Sequence, residues 1–72
     1  MSTNLHDLSD LEYHKLNLIL EEFSHDCVIN GFNDSYVYIA NGRDIYVMDR
    51  GKISPNIDVK DAVKSIVIYN GV

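Results

Sequence analysis

Asn41-Gly42 sits between two short runs of apolar and aromatic residues, YVYIA (36–40) and IYVM (45–48). The number of residues spent in that turn decides what can be built around it. A strand alternates its side chains between two faces, so a slip of one residue moves a whole set of them to the other side. Two turns are compatible with the sequence. A two-residue Asn41-Gly42 turn of type I′ pairs Ala40 with Arg43 and Tyr38 with Ile45. Each face is then mixed: Tyr36, Tyr38, Ile45 and Val47 on one, Val37, Ile39, Tyr46 and Met48 on the other. A three-residue loop, with Gly42 left-handed in a bulge, pairs Ile39 with Arg43. Val37, Ile39, Ile45 and Val47 then share one face, and Tyr36, Tyr38, Asp44, Tyr46 and Met48 share the other. The second register separates aliphatic from aromatic side chains, and it is the preferred reading.

Upstream, LSDLEYHKLNLILEEFSHD has the pattern of one amphipathic helix. Ser9 and Glu12 have the spacing of a capping box, in which each side chain satisfies the other's backbone N–H. Leu8 and Tyr13 are placed to form the accompanying staple. Leu16, Ile19, Leu20 and Phe23 recur at steps of three and four and form an apolar stripe, widened by Leu11 and Leu18. Glu12, Lys15, Glu21 and Glu22 fall on the wet side, and the helix should stop near Ser24 or His25.

Cys27-Val28-Ile29 reads as a strand, closed by the turn-rich cluster Asn30-Gly31-Phe32-Asn33-Asp34. After the hairpin, Gly51 and Pro55 bracket an irregular segment in which Ile53 and Ile57 cover core edges. DVKDAVKS predicts a helix of one to two turns, with Asp58 as N-cap and Val59, Ala62 and Val63 facing inward. Ile66-Val67-Ile68-Tyr69 is an uninterrupted apolar run, which suits a central or two-sided buried strand. The order is α-β-β-β-α-β. It implies a single small α+β domain over residues 1–72. Its sheet is mostly antiparallel with three to four strands, one long N-terminal helix packs on one face, and a short second helix precedes the last strand.

Seventy-two residues with 46% hydrophobic content allow a small cooperative core and leave little stability to spare. The formal charge of −5 comes from 11 acidic and 6 basic residues, with the acids spread along the chain. Binding to a phosphate backbone needs clustered Lys and Arg, so direct nucleic-acid binding is disfavoured. The acidity suits a basic protein partner, including one that itself binds nucleic acid. Cys27 is the only cysteine, which excludes an internal disulfide and suits a reducing compartment such as the cytoplasm. Its apolar neighbours make it a small core residue rather than a reactive thiol. The first residues lack a basic segment leading into an apolar run, so no secretory leader is expected. No apolar run approaches the ~20 residues of a membrane span.

No motif in the chain specifies a reaction. His14, His25, Asp26 and Cys27 lack the knuckle spacing of a structural zinc site, and His6 reads as an exposed residue near the chain's start. Ser24, His25 and Asp26 are adjacent in sequence, which by itself does not orient a nucleophile, base and acid toward one another. Asp44 and Asp49 have opposite parity on one strand. Gly31, Gly42, Gly51 and Gly71 form neither known phosphate loop. No catalytic, cofactor or metal residue is therefore assigned.

What remains is a small, acidic, non-enzymatic protein-interaction module, an inhibitor or adaptor of the stand-alone kind that phages also encode. Its expected contact surface is Tyr36, Tyr38, Asp44, Tyr46 and Met48, rimmed by Arg43 and Arg50. Tyr and Met are enriched at such surfaces. Two alternatives stand beside it: a single-stranded nucleic-acid module stacking bases on the tyrosines, and a small homodimeric structural protein.

Overall fold

A computed structural model of the chain describes residues 8–70. His6 and Gly71, named above, lie outside the described residues, as does most of the stretch judged for a leader. The fold is α+β. Helix α1 (Asp10–Phe23) is followed by strands β1 (Val28–Phe32), β2 (Tyr36–Asn41) and β3 (Asp44–Asp49). A 3-10 turn over Arg50–Ile53, helix α2 (Val59–Lys64) and strand β4 (Val67–Ile68) complete it. The four strands form one antiparallel sheet in sequence order.

The start of α1 follows from its capping box. The Ser9 N–H donates to Glu12 Oε1 at 2.8 Å, and the Glu12 N–H donates to Ser9 Oγ at 3.1 Å. Ser24 is the C-cap. Leu16, Ile19 and Leu20 are buried, as the stripe predicts. Leu11 and Leu18 are not part of it: they are 72% and 41% exposed. The inward arc of the helix is narrower than the sequence suggests. Leu8 is buried while Tyr13 stays exposed. Lys15 is not simply wet, since its Nζ donates to the Ile57 carbonyl and ties α1 to the approach to α2.

β1 runs further than expected. It continues through Asn30-Gly31 to Phe32, with the ladder shifting between Ile29 and Gly31, so Asn30 occupies a β-bulge. The turn shrinks to residues 33–35, where Asn33 Oδ1 accepts from the Ser35 and Tyr36 N–H groups at 2.8 and 2.7 Å. An Asn side chain that mimics a backbone turn in this way makes a longer loop unnecessary.

The hairpin register matches neither turn read from the sequence. Asn41 faces Asp44, Ala40 faces Ile45, Ile39 faces Tyr46 and Val37 faces Met48. The two turn residues are Gly42 and Arg43. Gly42, at φ +63°, takes the first central position of the turn, where a type II′ geometry requires glycine. Asn41 is the last residue of β2. The three-residue bulged loop is therefore overturned, and the mixed faces of the alternative register are the ones observed.

The core lies between the helices and one side of the sheet. Leu16, Ile19 and Leu20 of α1 meet Val37, Ile39 and Met48 from below, with Ile53 and Ala62 closing one side. Phe32, Ile29 and Tyr46 pack around them. α2 lies against α1, so the segment after β3 folds onto the helical side of the sheet, and among the described residues the other side is left open. β4 is short and lies at an edge. Val67 and Ile68 are 56% and 48% exposed, which corrects the reading of residues 66–69 as a central buried strand.

Candidate interaction surface on the outer face of the sheet

Strand parity and ladder register define what the outer face carries. Near the hairpin turn one row crosses the sheet through Val28, Ala40, Ile45 and Tyr69, whose N–H donates to the Ile45 carbonyl at 2.7 Å. A second row contains Gly31, Tyr38, Val47 and Val67. A third, at the far end of the hairpin, pairs Tyr36 with Asp49. The first two rows carry no charged side chain. Val28, Tyr36, Val67 and Tyr69 are all exposed.

The rings on this face are mutually ordered. Tyr38 and Tyr69 meet edge to face with centroids 5.3 Å apart and planes at 70°. Asn33 Nδ2 donates to the Tyr38 hydroxyl at 3.4 Å. Gly31, beside Tyr38, has open space where a Cβ would stand. The face therefore has high ground at its tyrosines and low ground at Gly31 and Ala40.

The structure does not bring the expected site residues together. Tyr36 and Tyr38 belong to the outer face. Tyr46 and Met48 belong to the inner one: Met48 is 2% exposed, and Tyr46 meets the Phe23 ring edge-on at 5.2 Å and 74°. The cause is the register, because placing Gly42-Arg43 in the turn gives residues 46 and 48 the parity of Val37 and Ile39. Asp44 shares that inner parity but lies exposed beside the turn. Arg43 occupies the turn itself and is exposed.

Arg50 is not a rim residue. Its side chain is 12% exposed and reaches Glu12 Oε1 from Nη2 at 3.4 Å and Glu12 Oε2 from Nε at 3.5 Å. Nη1 donates to the Asn33 carbonyl at 2.9 Å, and the guanidinium lies 5.6 Å from the Phe32 ring centre. It joins the start of α1 to the end of β1. The Glu12 carboxyl is held below its ordinary value chiefly by the Ser9 backbone N–H; burial opposes this, and the hydrogen bond and charge of Arg50 add to the lowering.

Val28, Ala40, Ile45, Val47, Val67 and Tyr69 are the residues that sequence reasoning left out of the surface. For Ile45 and Val47 the signal was present in the mixed-face register. For Val67 and Tyr69 it lay in the unbroken apolar run, read as burial rather than as a second apolar face.

Among the described residues there is no pocket and no group of three His, Cys, Asp or Glu side chains placed to hold a metal ion. No described helix is long and apolar enough to cross a membrane. Compared with known proteins, the chain matches no family model, no curated protein and no solved structure.

Proposed function

We propose that this chain is a non-enzymatic protein-binding module that works by burying the outer face of its sheet against another protein. One observation carries the reading: two uncharged apolar rows cross all four strands on the side that neither helix covers. A sheet buries each apolar face against another layer, and here one face has none among the described residues. Tyrosines with an apolar body and a wet hydroxyl suit such a contact.

The excess acid bears on the choice of partner. Asp10, Glu21 and Glu22 lie on α1, and Asp58 and Asp61 lie at α2, so charge is concentrated on the helical layer and not at the centre of the apolar face. Nearer the face, Asp34 lies in the turn after β1 and Asp44 and Asp49 lie at the two ends of β3, all exposed; a basic partner would meet these, while the rows themselves supply the buried area. Such a module acts as an inhibitor or adaptor. The lone thiol of Cys27 suits a reducing compartment such as the cytoplasm. Single-stranded nucleic acid is a weaker fit. Arg50 is already engaged with Glu12, and among the described residues only Arg43 adds a positive charge to the hairpin that carries the tyrosines.

The test compares Val47→Lys, which places a charge at the centre of the face, with Leu11→Lys on the exposed side of α1. Proteins retained from native extract by the wild type and by Leu11→Lys, and lost with Val47→Lys, support the reading. Retention that is unchanged by Val47→Lys and abolished by Leu11→Lys overturns it.

A further inference from the structure

The outer face is self-complementary, and we infer that the occupant it fits is a second copy of this chain, packed sheet to sheet with strands antiparallel across a two-fold axis. The inference rests on the reading of that face as the contact surface, takes its occupant to be a copy of the same acidic chain in place of a basic protein, and adds the orientation. The axis would run across the strands, between the row of Ala40 and Ile45 and the row of Tyr38 and Val47. Each strand then overlies the same strand of the other copy, running in the opposite direction. Aligned packing of two sheets, with strands crossing at about 30°, preserves this correspondence at the centre.

Shape favours that axis. On β2, Tyr38, whose ring leans toward Tyr69 over β3, comes beside the other copy's Ala40, the smallest outer residue of that strand. On β1, Val28 comes over Gly31, where open space stands beyond the backbone. On β3, Ile45 meets Val47, two aliphatic residues of similar size. High ground therefore meets low ground on the strands that carry both. An axis parallel to the strands would instead stack Tyr38 over Val47 and leave Gly31 and Val28 opposite β4.

Charge favours the same axis. Arg43 stands at the turn end of the hairpin and Asp49 at its opposite end, on the outer parity and exposed, with one carboxylate oxygen accepting from the Gly51 N–H at 2.9 Å and the other left to meet a cation. A two-fold across the strands at the level of residue 46 brings each Arg43 toward the other copy's Asp49, twice per dimer. The alternative axis brings like ends together and makes neither pair. Two chains of charge −5 repel at long range, so a contact centred on uncharged rows, with opposite charges at its ends, is the one that limits this cost.

Area sets the strength. Strands of five, six, six and two residues, at about 4.8 Å spacing and about 3.3 Å rise per residue, give a face near 300 Å² before side-chain relief is counted. Two such faces bury about 600 Å² in flat projection and somewhat more once side-chain relief is added, below the range of stable specific interfaces, so the dimer should be weak and dissociate at roughly 100 µM or above.

Sedimentation equilibrium from about 1 µM to about 1 mM covers that range. Arg43→Glu and Asp49→Lys are each compared with the wild type, with circular dichroism confirming that each variant is folded. In either variant alone, two like-charge contacts replace two opposite ones, and the dimer should weaken roughly tenfold or more. An equimolar mixture of the two variants recreates both opposite-charge contacts in the heterodimer and should restore association to near the wild-type level. A wild type that is monomeric throughout, or a mixture no tighter than its parts, overturns the inference. If the wild type is monomeric but Val47→Lys still loses retained proteins, only the second copy is ruled out as occupant. If Val47→Lys changes neither self-association nor retention, the contact surface itself is wrong.

Discussion

Ile39 and Tyr46 face each other across the hairpin, and this pairing sends the Tyr46 ring under α1 to meet Phe23 at 5.2 Å. Tyr46 is thus a structural residue, whereas Tyr36, on the opposite parity, is 48% exposed. Replacing Tyr46 by Ala should cost about 2–4 kcal/mol through lost packing and an imperfectly closed cavity. Tyr36→Thr should stay within about 0.5 kcal/mol, as exposed substitutions usually do. Urea unfolding of both variants distinguishes the two tyrosines.

The turn makes a second contrast, between glycines. Gly42 has a φ of +63°, so Gly42→Ala forces a side chain into left-handed backbone and should cost about 1–2 kcal/mol. Gly31 has no positive φ, and a methyl group added there would meet no neighbour within 4 Å. Gly31→Ala should therefore be neutral or slightly stabilising in the same unfolding measurement.

Glu12 links stability to pH. Its carboxyl is held below the ordinary value, first by the Ser9 N–H and then by Arg50. The unfolded chain therefore takes up the proton before the folded one does. The contribution is complete at neutral pH and is lost as pH falls below about 4.3 and through the depressed folded value. Glu12→Gln should be less stable than wild type at neutral pH, with the difference closing in that acid range. Thermal melts of both proteins at stepped pH read it directly.

Arg50 ties Glu12 at the start of α1 to the end of β1, where it meets the Asn33 carbonyl and the Phe32 ring. Arg50→Lys keeps the charge but loses the fork that spans Glu12 and Asn33. It should cost about 1.5–3 kcal/mol, the range for hydrogen bonds to charged groups, and denaturant titration measures it.

The extent to which the sequence disclosed this fold varies by element, for physical reasons. α1 could be placed from Ser9 and Glu12 because a capping box is local chemistry. The α+β order, the antiparallel sheet and the short α2 followed from periodicity and turn residues. The hairpin register did not. Assigning register from patterning needs one face to be more apolar than the other, and here Val37, Ile39, Tyr46 and Met48 oppose Tyr36, Tyr38, Ile45 and Val47 with little contrast. Sorting aliphatic from aromatic residues then favoured a bulged loop, while Gly42 was needed as the first residue of a two-residue Gly42-Arg43 turn. The same lack of contrast hid β4, whose apolar run serves an exposed face rather than a buried centre. Of the expected surface, Tyr36 and Tyr38 lie on the outer face, and Tyr46, Met48 and Arg50 serve the fold.

The central claim is that the outer face is where this protein makes contact. Amide NMR tests it most directly, comparing the free protein with protein bound to its own second copy at high concentration or to a protein it retains from extract. The largest changes should fall on Val28, Tyr38, Ala40, Ile45, Val47 and Val67, with α1 unaffected beyond its inner side. Changes centred instead on Leu11, Leu18 and Asp61, with the outer rows unmoved, would contradict it.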